Sequence, residues 1–120
     1  MEIQHITLQL KDIFQNLRNR YETNDKPEDR RDREFFSFVK KETTPVHDLI
    51  VKWEEHASAF VQNKQVSVHP QQVASTSENL QLLLLHSYYI DVKRKRYMEL
   101  YQSVQYVFDL LLKDIGKQTS

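Results

Sequence analysis

Five histidines, His5, His47, His56, His69 and His86, are the residues of this 120-residue sequence best suited to chemistry. A neutral imidazole is a common metal ligand, and helical bundles hold metals through carboxylates and histidines on facing helices. The di-metal pattern needs Glu-x-x-His on each of two helices, and only Glu2 to His5 supplies it. If successive helices run antiparallel, His5 and His69 fall at one end, His47 and His86 at the other, and His56 in the middle. No three converge. The best remaining set, Glu2, His5, His69 and Asp114, is a weak one. The histidines are therefore read as surface or hydrogen-bonded residues, with no metal and no cofactor expected. A metal- or small-ligand-binding bundle is the alternative.

A second constellation is the basic run Lys93, Arg94, Lys95 and Arg96, with Tyr88, Tyr89, Tyr97 and Tyr101 close by. Cations beside aromatic rings suit a phosphate-bearing ligand or a stacked base. Consecutive helical residues point about 100° apart, however, so four in a row make a solvated turn and not a stripe. Tyr21, Phe35, Phe36, Tyr88 and Tyr97 should collect at the same bundle end. A contact surface using Tyr88, Lys95, Arg96 and Tyr97 for an unknown protein partner is the expectation drawn from this, and nucleic acid is not expected. Trp53, in the middle of an apolar stripe, is read as core.

Four amphipathic segments must position these residues. Ile3, Ile6, Leu10, Ile13, Leu17 and Tyr21 step by three and four and line one helix face. A mixed-charge connector from Asp25 to Glu34 follows, then a short helical turn near residues 34–41 carrying Phe35, Phe36 and Val39. Thr44 as N-cap and Pro45 at the first helical position predict that helix 2 starts at Pro45. Its stripe is Val46, Ile50, Trp53, Ala57 and Phe60. After a connector from Lys64 to His69, helix 3 starts at Pro70 with Val73, Thr76, Leu80, Leu83, Ser87 and Ile90 inward. Tyr97, Tyr101, Val104, Phe108, Leu111 and Ile115 form helix 4, which Gly116 is expected to end.

The predicted helices thus cover residues 3–24, 45–63, 70–90 and 93–115. An unbroken helix from Gln71 to Ile115 would reach about 68 Å, too long for the others to cover. The reversal is placed near Ile90 to Arg94, with the basic run favouring a helix C-terminus and Asp91 capping the next helix. Short connections then predict an all-α, antiparallel up-down-up-down four-helix bundle in a single domain. Leu82, Leu85, Leu110 and Leu112 lie beside the main stripes and either form a dimer face or widen the core, so monomer and homodimer both stay open.

Composition narrows the function. Seventeen basic residues balance 17 acidic ones, so no global field attracts a polyanion. The absence of cysteine excludes disulfides and thiolate catalysis and suits a reducing cytoplasm. No signal peptide is read at the start, and no apolar run approaches the roughly 20 residues of a membrane span. One glycine, Gly116, leaves no phosphate-binding loop, dinucleotide turn or nucleophile elbow. The reading is a non-enzymatic cytoplasmic interaction or accessory module.

Phe35-Phe36 before Val39-Lys40, Trp53, Val68-His69 with Gln72-Val73, His86-Ser87-Tyr88, Lys95-Arg96-Tyr97, and Ser103-Val104 before Tyr106 resemble the YppE-like family of small Bacillus-type proteins of unknown function. Lys41 stands where that family suggests proline, and His86 where it suggests glutamine. The resemblance implies a four-helix bundle in a bacterial cytoplasm and implies no activity.

Overall fold

The computed structural model describes residues 2–23, 32–62 and 65–119. They form four helices, α1 (Glu2–Thr23), α2 (Arg33–Gln62), α3 (Pro70–Tyr89) and α4 (Arg94–Thr119), in a body of 48 × 26 × 21 Å. Each helix packs against the next, and α1 also touches α3 and α4. Cross-helix contacts run in opposite order along neighbouring helices, as antiparallel packing requires. Glu2 meets Lys52 whereas Arg20 meets Phe38. Lys11 meets Asp109 whereas Glu22 meets Arg94.

The apolar stripes close on one core whose bulkiest members are Trp53, Tyr97, Phe14 and Phe108. Trp53 and Phe108 bridge α2 and α4 edge to face, with ring centroids 5.3 Å apart. On α1 the buried position beside Leu10 and Leu17 is Phe14, and Ile13 is only partly buried. Two polar relays run through this core. The Trp53 indole Nε1 donates to Thr7 Oγ1 (3.0 Å), whose own hydrogen goes to the Ile3 carbonyl (2.7 Å). The Tyr97 hydroxyl lies 2.6 Å from Ser87 Oγ, and Ser87 donates its one hydrogen to the Leu83 carbonyl (2.6 Å). Tyr97 is therefore the donor to Ser87.

Helix 2 departs from expectation. It starts at Arg33, so the separate turn near 34–41 and the later helix are one element with Pro45 inside it. Asp32 caps it, its Oδ1 accepting from the N–H groups of Glu34 and Phe35 at 3.0 and 3.2 Å. Thr44 is interior, and its hydroxyl donates to the Lys40 carbonyl (2.7 Å). Pro45 costs the Lys41 carbonyl its usual donor, on an exposed residue where water is at hand. A continuous helix keeps Val39 in register with Ile50 and Trp53, and that burial outweighs the local break signal. The Arg33 and Glu34 end of the expected connector is thus helical, and its residues 25–31 lie outside the described residues.

Asp114 of α4 holds the described part of the connector before α3. The buried Asp114 carboxylate accepts from Ser67 N–H and Val68 N–H through one oxygen, at 2.9 and 3.1 Å. His69 then caps α3 reciprocally. Its Nδ1 accepts from Gln71 N–H (3.1 Å), and Gln72 Oε1 accepts from His69 N–H (2.8 Å).

The chain reverses between Tyr89 and Arg94, inside the expected window. Ile90 makes the turn with φ 51° and ψ 47°, a left-handed conformation that β-branched residues rarely adopt. The basic run differs from expectation, since Arg94, Lys95 and Arg96 open α4 and do not close α3. The cap position of α4 is Lys93, two residues beyond Asp91, which instead pairs with His86 Nδ1 at 2.6 Å. At the positive end of the helix dipole the cations gain nothing from it. Arg94 finds Glu22 at 3.0 Å instead. Helix 4 also passes Gly116 without stopping and ends at Thr119.

Candidate functional site

The expected contact residues occupy the bundle end formed by the α1 C-terminus, the start of α2 and the α3–α4 turn. They do not form one surface. Lys95 and Arg96 are exposed, and Arg96 has Glu99 at 3.9 Å. Tyr97 is 0% exposed, its ring stacked on Tyr21 with centroids 3.9 Å apart and planes 1° from parallel. Tyr21 in turn donates to the Val92 carbonyl (2.6 Å), which ties the turn to α1. Burial pushes the Tyr97 phenol up to about 12. Tyr97 is therefore a structural residue that no partner touches in this conformation.

Tyr88 is almost as enclosed, at 9% exposed. The Arg20 guanidinium lies 4.7 Å from its ring centroid and 5.7 Å from that of Phe38, while Phe38 meets Tyr88 edge to face. Burial raises the Tyr88 phenol as well, with the Glu42 charge adding to it and Arg20 opposing. Phe35 packs edge to face on Tyr89. Tyr21, Phe35, Tyr88 and Tyr97 do gather at this end as expected, as a brace between the helices, whereas Phe36 stays 55% exposed.

The histidines are dispersed. His47 Nδ1 donates to Gln81 Oε1 at 2.9 Å, His69 caps α3, and His86 pairs with Asp91. His56 differs from its expected central place, because it and His5 both lie close enough to Glu2 to help hold that carboxylate below its ordinary range, behind the larger effect of Lys52. Asp114 is committed to the connector amides. Among the described residues no three His, Asp or Glu side chains gather in a way that could hold a metal ion.

The open apolar surface lies along α2 and α3. Phe36, Leu85 and Leu82 are 55%, 49% and 42% exposed. Three adjoining depressions share these residues. One of about 440 Å³ lies between Thr43, His47, Gln81, Leu84 and Leu85. A second of about 440 Å³ lies between Phe36, Lys40 and Tyr89. The third, about 320 Å³, lies between Phe36, Leu82 and the His86–Asp91 pair. The spacing of Leu82 and Leu85 beside the α3 stripe marks half of this surface in the sequence, whereas Leu110 and Leu112 pack partly on the core. Phe36 supplies the other half, and its alignment with Lys40 and Thr43 emerges only once α2 is continuous.

No helix of the described residues is long and apolar enough to cross a membrane. The chain is 25% identical over 88 residues to the uncharacterised protein YppE of Bacillus subtilis, covering 72% of each chain. Its fold matches the crystal structure of that protein with a TM-score of 0.85 at 21% identity, over 98% of this chain and 95% of the other. The solution structure of the same protein matches with a TM-score of 0.82 at 20% identity, over 100% and 97%. Of the strings that resemble this group, His69 and Gln72 form the α3 cap, and Ser87 and Tyr97 form a core relay, so they mark the fold and not a reactive centre. The model of the bacterial domain of unknown function DUF1798 spans residues 7–115, nearly the whole bundle with the hydroxyls of both relays inside it, and the chain belongs to that family.

Proposed function

We propose that this protein is a non-enzymatic interaction or accessory module of the cytoplasm that docks a protein on the outward face of α2 and α3. One observation carries the reading: three adjoining depressions share exposed Phe36, Leu82 and Leu85, whereas the other exposed large apolar side chains, Leu8, Phe38, Val51 and Tyr106, line none of the three. A row of concave apolar sites between two helices is the form of surface that receives a helix or a helical hairpin. Lys95 and Arg96 stand beyond one end of this face and can steer an approaching partner. The alternative, a metal- or small-ligand-binding bundle, draws no support from the dispersed histidines.

Site-specific photo-crosslinking in cells tests the reading. A crosslinker at Leu85 should give protein adducts that the same group at Tyr106, an exposed position on α4, does not give. Adducts equal in kind and amount at both positions, or none at Leu85, would overturn it.

A further inference from the structure

We infer that the start of α2, residues 33–44, is a hinged arm of about three turns that opens and closes on Pro45 while the rest of the bundle stays folded. The inference stands on the packing of α2 and does not depend on the docking reading above. The two halves of this helix are held very differently. Residues 45–62 bury Ile50, Trp53, Ala57, Phe60 and Val61, whereas residues 33–44 bury only Val39, with Phe35 partly buried beside it. Phe38 meets Tyr88 edge to face and remains exposed. The seam between the arm and α3 is also incompletely filled. Two depressions of about 440 Å³ each open along it, and Thr43 and Leu85 line both.

The backbone is weakest where the halves meet. Pro45 gives the Lys41 carbonyl no N–H, and its ring crowds that carbonyl. One residue earlier, the Thr44 hydroxyl donates to the Lys40 carbonyl at 2.7 Å, a bond that bends helices and slightly weakens them. The same two residues favour the open form. Once residues 33–44 leave the helix, Thr44 becomes an N-cap whose hydroxyl oxygen accepts from an N–H of the new first turn. Pro45 then stands at the first helical position, where it has no bond to lose. The shortened helix thus arrives with its end already built. Val39 is the main anchor against this, so one sequence supports two arrangements of the element. Opening uncovers the Tyr88 ring and the Arg20 guanidinium lying on it, both of which meet Phe38 in the closed form.

Hydrogen exchange of the full chain, read by mass spectrometry in increasing urea below the unfolding transition, is the test. Amides of residues 37–43 should exchange at least about 10-fold faster than those of residues 50–57, through an opening that urea accelerates only weakly because it exposes little surface. Pro45→Ala should slow residues 37–43 at least about 10-fold, since it restores the missing bond of the closed helix and removes the preferred first residue of the open one. Val61→Ala, at the far end of α2, should speed residues 50–57 at least about 5-fold and leave residues 37–43 unchanged, because the open and closed forms both keep Val61 buried. Circular dichroism confirms that each variant folds.

Equal exchange rates and equal urea dependence in the two halves of α2 would overturn the hinge, because the helix would then open only as a whole. So would a Pro45→Ala chain whose residues 37–43 exchange as fast as in wild type, or a Val61→Ala chain in which both halves speed up alike. None of these outcomes bears on the Leu85 crosslinks, so the arm and the docking face stand or fall separately.

Discussion

Near the start of α1 an indole donates to a threonine that bonds back to its own helix, and about 21 Å further along α1 a phenol and a serine repeat the arrangement. In each relay a bulky aromatic donor is satisfied by a hydroxyl whose hydrogen is already committed to the carbonyl four residues back. Neither leaves a buried donor unpaired, which would cost about 1–3 kcal/mol. The difference lies in the donor. Trp53 does not ionise and is closed in by Phe108, whereas Tyr97 ionises and is stacked on Tyr21, which holds the α3–α4 turn. The same polar device is thus permanent at one end of the bundle and conditional at the other.

The largest effect should come from removing the indole. Trp53→Ala empties a site that is 0% exposed and should cost about 3–5 kcal/mol in urea denaturation. A loss below about 1 kcal/mol would mean that the Trp53 end is not the rigid one. Next come the hydroxyls. Thr7→Val and Ser87→Ala each strand a buried donor and should cost about 1–3 kcal/mol. Removing the donor as well, in Trp53→Phe/Thr7→Val or Tyr97→Phe/Ser87→Ala, should recover part of that loss if the relays are equivalent. Unequal recovery would show which relay depends on its hydrogen bond and which on its packing.

Alkali separates the two ends. Tyr97 has a folded-state value near 12 against an ordinary 10, so folding favours its protonated form. Its contribution is whole below pH 10 and is lost as pH rises from 10 through 12, on the order of 2 kcal/mol in all. Burial also raises Tyr21 and Tyr88, giving a shallower loss in the same direction. The stability of Tyr97→Phe should fall less over that interval than that of wild type, and identical slopes would refute the assignment. At the turn, Ile90→Gly relieves about 1–2 kcal/mol of left-handed strain while surrendering a partly buried side chain. The net change should stay below about 1 kcal/mol, and a loss above about 2 would put packing ahead of strain. Smallest of all, Lys95→Ala/Arg96→Ala should alter stability by no more than about 0.5 kcal/mol, because both side chains stand in solvent.

The helical faces of α1, α3 and α4 were legible because their apolar residues repeat at helical spacing. Leu80, Leu83, Val104, Phe108 and Leu111 all point inward as the spacing requires. What escaped the sequence was set by tertiary contacts. Thr44-Pro45 carries the same local chemistry at a helix start and inside a helix, and only the burial of Val39 alongside Ile50 decides between them. Gly116 lowers helix propensity but meets no steric demand to stop. Ile13 and Phe14 adjoin the same face, so spacing alone cannot choose the deeper one. Among the proposed contact residues, exposure of Lys95 and Arg96 was readable from charge. The burial of Tyr97 follows from its place at the head of the helix 4 stripe, but its stacking on Tyr21 and its bond to Ser87 do not, because those partners come from other helices.

The carboxylate of Asp114 gives the stretch between α2 and α3 a property that loops seldom have. Ser67 and Val68 lie outside any helix, yet their amide protons are held by a buried acceptor on α4. To exchange those protons with solvent deuterium, the chain must part α4 from the connector and not merely flex it. These two amides should therefore exchange with the bundle's slowest class, an island of protection between faster neighbours. Ser67, Val68 and the turn of α4 that carries Asp114 should therefore open together.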